Sequence, residues 1–168
     1  LTLAGANTST GGTALLKGRL NLGNAQALGT GELAMDDGTE IGFIAPGMTI
    51  ANAIRFTGNS DPIIDTGAFD AGLSGAISGA GFITKIGTGT LTLSGANSYT
   101  GATDVAQGTL RAGAANTFSA ASAHNVAAGA TLDLAGYSQT VASLTNSGTV
   151  SLVGSVPGTT LTVNGAYV

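Results

Sequence analysis

Residues 85–112 read KIGTGTLTLSGANSYTGATDVAQGTLRA, and the unit Gly89-Thr-Leu-Thr-Leu93 inside that stretch decides the fold. Leu91 and Leu93 alternate with Thr90 and Thr92, the period of two expected of a strand with one dry and one wet face. The unit returns as Gly108-Thr-Leu110, Gly129-Ala-Thr-Leu-Asp-Leu134, Gly148-Thr-Val-Ser-Leu152 and Gly158-Thr-Thr-Leu-Thr-Val163. From Leu91 the inward position recurs at Leu110, Leu132 and Val150, in steps of 19, 22 and 18 residues. Each step is one coil of a solenoid. Parallel neighbours need a connection of roughly a dozen residues, and the connections here lack helical periodicity, which disfavours a βαβ fold. The leading glycines are expected to supply a turn with positive φ.

Working outward, Leu1–Thr13 (LTLAGANTSTGGT) aligns without gaps on Leu91–Thr103 (LTLSGANSYTGAT), an offset of 90 residues. The register holds through Gly18, Leu20, Gly23 and Ala25, which fall on Gly108, Leu110, Gly113 and Ala115, so 13 of 25 positions are identical. In the first half Leu20, Leu33, Ile41 and Ile50 read as strands on successive faces of a multi-faced prism. The expected fold is all-β: a right-handed parallel β-helix of roughly eight coils, about 40 Å long at the ~4.8 Å spacing of stacked strands. Residues 1–168 form a single β-helix segment. Phe43, Phe56, Phe69, Phe82 and Phe118 are expected at its corners. Such a stack gains stability neighbour by neighbour. Its two ends expose unpaired strand edges, which predicts end-to-end self-association.

Composition agrees. Of 168 residues 28 are Gly, only 8% are charged, aromatics make up 5%, and Trp and Cys are absent. Small aliphatics suit a narrow layered interior. Without cysteine there is no disulfide, thiolate metal site or cysteine nucleophile. The five bases, Lys17, Arg19, Arg55, Lys85 and Arg111, are scattered in a chain of net charge −4, which gives no footprint for nucleic acid. No apolar run approaches the length that spans a bilayer, so no membrane contact is expected of this segment. Leu1 begins in the middle of a repeat and its first residues lack the pattern of a signal peptide. This predicts a piece of a larger protein.

No constellation points to catalysis or to a cofactor. His124 stands alone in SAASAHNVAAG and reads as an exposed turn residue, since metal sites and triads need convergent partners. Asp36-Asp37-Gly38 reads as an outer turn, and no calcium nonapeptide or EF-hand loop occurs. Asp61, Asp65 and Asp70 share one segment, NSDPIIDTGAFD, and with Glu32, Glu40, Asp104 and Asp133 supply the carboxylates of the sharpest enzymatic alternative, a β-helix polysaccharide lyase or hydrolase. Only Arg55 lies near them in sequence. Gly72-Leu-Ser-Gly-Ala76 fails as a nucleophile elbow at its last position, and Gly79-Ala-Gly81 and Gly87-Thr-Gly89 are too short for a phosphate loop. The pairs Thr90/Thr92 and Thr160/Thr162 resemble ice-binding arrays in miniature, but Arg111, Asp133 and Ser151 interrupt them. Asn7 and Asn97 occupy equivalent GAN turns and are expected to bond backbone groups of the corner. Tyr99, Tyr137 and Tyr167 are candidates for surface contact.

The stretch 85–112 resembles the passenger-associated transport repeat of type V secreted autotransporters, whose pattern reads roughly K-x-G-x-G-T-L-T-L-S-G-x-N-x-Y-T-G-x-T-x-V-x-x-G-T-L. The motif positions are Gly89, Leu91, Leu93, Gly95, Asn97, Tyr99, Gly101, Val105, Gly108 and Leu110, all read as structural. Residues 1–22 resemble a second, truncated copy, with Ser9 in place of the aromatic and Leu16-Lys17 before its glycine. LSGAISGAGFITK (Leu73 to Lys85) and GMTIANAIRFTGNSDPIIDTG (Gly47 to Gly67) resemble the connecting coils. The resemblance implies a non-catalytic structural or adhesive segment, exported through the periplasm to the bacterial surface or beyond it by a C-terminal barrel in the parent protein. Its implied partners are the host-cell surface or extracellular matrix. The alternative is a transport and folding spacer for a function located elsewhere.

Overall fold

The computed structural model describes residues 1–154 and 157–168, and among them the regular elements are all strands. Every strand pairing is parallel, and the strands stack into faces of a solenoid. Face 1 has eight strands, one per coil: Thr2–Leu3, Arg19–Leu22, Glu40–Phe43, Ile63–Asp65, Ile83–Ile86, Thr103–Val105, Ala123–Val126 and Ser143–Asn146. Face 2 has six, from Met48–Ile50 to Thr149–Ser151, and face 3 has four, Thr13–Leu15, Leu33–Met35, Ile54–Phe56 and Ile77–Gly79. A separate pair, Gln139–Val141 with Leu161–Val163, lies toward the C-terminal end. The eight strands of face 1 match the roughly eight coils expected.

The inward column read from the sequence is the observed register of face 2: Leu91 stacks on Leu110, Leu110 on Leu132, and Leu132 on Val150. Leu91, Leu93, Leu110 and Leu132 are fully buried, while Thr90, Thr92 and Thr109 point outward. Burying one such side chain contributes about 1.5–3 kcal/mol. Because like residues stack on like, each coil covers the apolar residues of the coil before it.

Two expectations need correction. Leu20 and Ile41 lie on the same face, stacked one coil apart; Leu33, Ile41 and Ile50 are the residues on successive faces. The glycine rule is also only partly right. Gly108, Gly129 and Gly158 have positive φ, but Gly89 and Gly148 do not, and the left-handed position in the turn before Gly89 is Gly87 at φ 83°. Gly89 is required for another reason: a Cβ there would strike the carbonyl of Phe69 in the coil below.

The two copies of the repeat do not sit on the same faces. Leu3 is on face 1 and Leu93 on face 2; Thr13–Leu15 is on face 3 and Thr103–Val105 on face 1. Leu20, Ile41, Ile64, Lys85 and Val105 form one column, and Leu110 belongs to the next face. The 90-residue offset is therefore four coils plus one face. Of the phenylalanines expected at corners, Phe43 and Phe56 are the buried last residues of their strands and Phe118 is buried between strands; Phe69 is half-buried and Phe82 is partly exposed.

Candidate functional site

The second copy opens the more polar part of the interior: among the described residues, seven of the ten buried polar or charged side chains lie between Lys85 and Gln139. Its GANSYTG turn lies on the last strand of face 3, with Ser98 N bonding Ile77 O and Thr100 N bonding Gly79 O. Asn97 extends that contact in both directions: its Oδ1 accepts from Ile77 N at 2.8 Å and its Nδ2 donates to Thr117 O at 2.7 Å. Two coils on, Gln139 reaches only the coil below it, accepting from Phe118 N and donating to Ala114 O. Side-chain amides thus cross-link the corner where face 3 has no strand.

Tyr99, expected at the surface, is fully buried. Its ring packs edge-on against Phe56 at 6.1 Å, and its hydroxyl meets Thr103 Oγ1 at 2.6 Å, which in turn meets Ser122 Oγ at 2.9 Å. Burial pushes the Tyr99 phenol up to about 12, against the opposing pull of its hydroxyl partners. Tyr137 and Tyr167 are exposed, as anticipated. His124 also departs from expectation: it lies in the strand Ala123–Val126 and is fully buried, not in an exposed turn. The Tyr-Thr-Ser-His group is shut off from solvent, which leaves no path for a substrate.

Lys85 is a further buried polar group, one that the sequence reading did not assign to the interior. It takes an inward position between Ile64 and Val105, and its Nζ donates to Ile86 O, Gly87 O and Gln107 O at 2.8–3.1 Å. All three ammonium donors are satisfied. Burial draws its pKa down to about 8, opposed by the carboxylates of Asp65 and Asp70.

Outside, charge serves coil-to-coil pairing. On face 1 Arg19 bridges Glu40 and Asp65, the latter at 2.8 Å, with its guanidinium lying over Gly42. On face 3 Arg55 pairs with Glu32 at 2.8 Å, and on face 2 Arg111 pairs with Asp133 at 3.3 Å. The signal was present in the sequence: opposite charges stand one coil apart. Of the carboxylates of the enzymatic alternative, Glu40 and Asp65 come together on Arg19, while Glu32 and Asp133 are engaged by Arg55 and Arg111 on other faces. Asp65 is held by Arg19 and accepts from Gly67 N, while Asp70 accepts from Thr90 N, a bond that holds its carboxyl below the usual range. Among the described residues no three His, Cys, Asp or Glu side chains gather as metal ligands. On face 2 Thr90, Thr109, Thr131 and Thr149 form an unbroken outward column, next to the interrupted one of Thr92, Arg111, Asp133 and Ser151.

The C-terminal end is apolar. Leu144, Val150, Leu152, Leu161, Val163 and Tyr167 line an open hollow of about 430 Å³. At the opposite end Leu1 and Leu16 are exposed.

Residues 1–22 and 83–112 match the family described as passenger-associated-transport-repeat. Fold and repeat together define the class, a parallel β-solenoid of the autotransporter-passenger kind carrying transport repeats. Over 151 residues the chain is 37% identical to the protein named Adhesin BmaC autotransporter of Brucella suis biovar 1 (strain 1330). That alignment covers 86% of this chain and 4% of the relative, so the chain spans a small fraction of the protein it matches. No solved structure matches significantly.

Proposed function

We propose that this chain is a non-catalytic, structural and adhesive segment of an autotransporter passenger displayed on the bacterial surface or released from it. The observation that carries the reading is the similarity, over most of the chain, to a protein named as an autotransporter adhesin. The geometry supports it: long outward faces of Thr, Asn and paired charges, an interior sealed by stacked side chains, and a buried polar cluster out of reach of any substrate. In the parent protein the segment passes through the periplasm, folds outside the cell and contributes to adhesion to host cells or matrix. Its apolar ends favour end-to-end association of the isolated chain.

Saturable binding of the purified chain to cultured host cells, or to one member of a panel of matrix proteins and glycans, is the expected result. Binding no stronger than that of an unrelated solenoid, across the whole panel, would remove the adhesive role from this segment. The transport repeat favours a second reading, a module that assists passenger folding and secretion. Deleting residues 83–112 in the parent is then expected to lower surface display; unchanged display contradicts it.

A further inference from the structure

His124 is the one histidine of the chain, and its surroundings are unusual for a titratable side chain. It stacks in register between Thr103 below and Leu144 above, fully buried, with its ring 5.5 Å from that of Phe118. Nδ1 lies 3.2 Å from the carbonyl oxygen of Ser122, so in the neutral ring Nδ1 carries the proton and donates it. Nε2 is then a lone-pair acceptor, and it has no hydrogen-bond partner among the described residues. A proton placed on Nε2 would be a buried positive charge with no acceptor to receive it.

The neighbours compensate less than burial costs: the Ser122 carbonyl and, through space, Asp104 favour the charged ring, and desolvation outweighs both. The strand Thr103–Val105 carries Asp104, but that residue alternates outward and is engaged by Asn125 Nδ2. The strand Ser143–Asn146 on the other side has no titratable group, nor does the segment around Phe118. Tyr99 belongs to the same hydroxyl cluster and stays neutral. The contrast with Lys85 is direct: that ammonium has three carbonyls around it, whereas an imidazolium at His124 would have one.

We propose that His124 is an acid-sensitive lock, which holds the C-terminal coils closed while its ring is neutral and releases them when the medium becomes mildly acidic. The thermodynamic sign is fixed by burial. Desolvation draws the folded-state pKa down to about 4, from an ordinary value of 6.5. A base whose pKa is lower in the folded state takes up its proton preferentially in the open state. Its stabilisation is complete above about pH 6.5 and is lost as pH falls toward about 4. Within that window up to one extra proton is bound on opening, which lowers the folding equilibrium by up to about tenfold per pH unit.

Because there is a single histidine, its imidazole C–H signals in an NMR titration of the whole chain report this ring alone. The expected result is no titration between pH 7.5 and 5 in the folded protein. In parallel, urea unfolding is expected to show about a sevenfold fall in the folding equilibrium from pH 6 to pH 5, reduced to less than about twofold in His124→Leu. An ordinary titration curve centred near pH 6.5 with the fold intact overturns the proposal. So does a wild-type equilibrium that is flat across the window, or an equal fall in the variant. If His124→Leu does not fold, the wild-type titration and pH series decide.

Discussion

The two copies of the repeat share much of their sequence and differ in nearly every contact. In residues 83–112 the repeat has coils on both faces. Asn97 ties three coils together, Tyr99 anchors a buried hydroxyl chain, and a Cβ at Gly95 or Gly101 would strike the carbonyl of Gly75 or Gly81 in the coil below. In residues 1–22 the equivalent positions lie at the end of the described stack. Asn7 Oδ1 accepts only from Ser9 N within its own turn, Ser9 is exposed where Tyr99 is buried, and Gly5 and Gly11 have nothing within 4 Å of an added Cβ. What the motif residues do thus depends on the coil beside them as much as on the motif. The glycines and the asparagine are instructions for stacking, and they act only where there is something to stack against.

The largest separation between the copies is expected at the aromatic position. Tyr99→Ala empties a fully buried site and leaves Thr103 with Ser122 as its remaining hydroxyl partner, and should destabilise the chain by about 3–5 kcal/mol in urea unfolding; Ser9→Ala should stay within about 0.5 kcal/mol. Equal effects would mean that the second copy is not an interior coil. Next comes the glycine pair. Gly101→Ala forces the coil away from Gly81 and the Phe82 ring and is expected to cost about 1–3 kcal/mol. Gly11→Ala, in open space, should be neutral or stabilise by up to about 1 kcal/mol through the unfolded chain. The smallest difference is at the asparagines. Asn97→Ala leaves Ile77 N and Thr117 O without their partner and should lower stability by about 1–2 kcal/mol, because the half-exposed turn admits some water. Asn7→Ala is expected to change it by less than half of that.

Where the sequence alternates, it could be read. The column Leu91–Leu110–Leu132–Val150 came directly from period two and a coil of about twenty residues, because outward Thr and inward Leu leave one permitted register. The turns were opaque for the same reason. The stretches SAASAHNVAAG and GANSYTG show no clear alternation of apolar and polar residues, so nothing in them says which way His124 or Tyr99 points, and both were placed outside. Lys85 was hidden by its type: a lysine reads as solvated until three carbonyls from two coils are seen around it. The one-face rotation between the copies was invisible because the coil length varies; the column from Leu20 to Val105 advances by 20 to 23 residues per step, and only the summed drift turns the motif. Of the candidate functional surface, the threonine column on face 2 was within reach, since its members lead the same strands as the leucines.

Engineered disulfides test the stack most directly, and the absence of native cysteine leaves the result free of competing bridges. Thr90 and Thr109 are outward partners in neighbouring coils, about 4.8 Å apart as adjacent strands are, and inside the span that a disulfide bridges. Thr90→Cys with Thr109→Cys should form an intramolecular bond under mild oxidation, while Thr90→Cys with Thr131→Cys, two coils apart, should not. The converse pattern, or bonding in neither pair, would contradict the register on which the whole description of the coils rests.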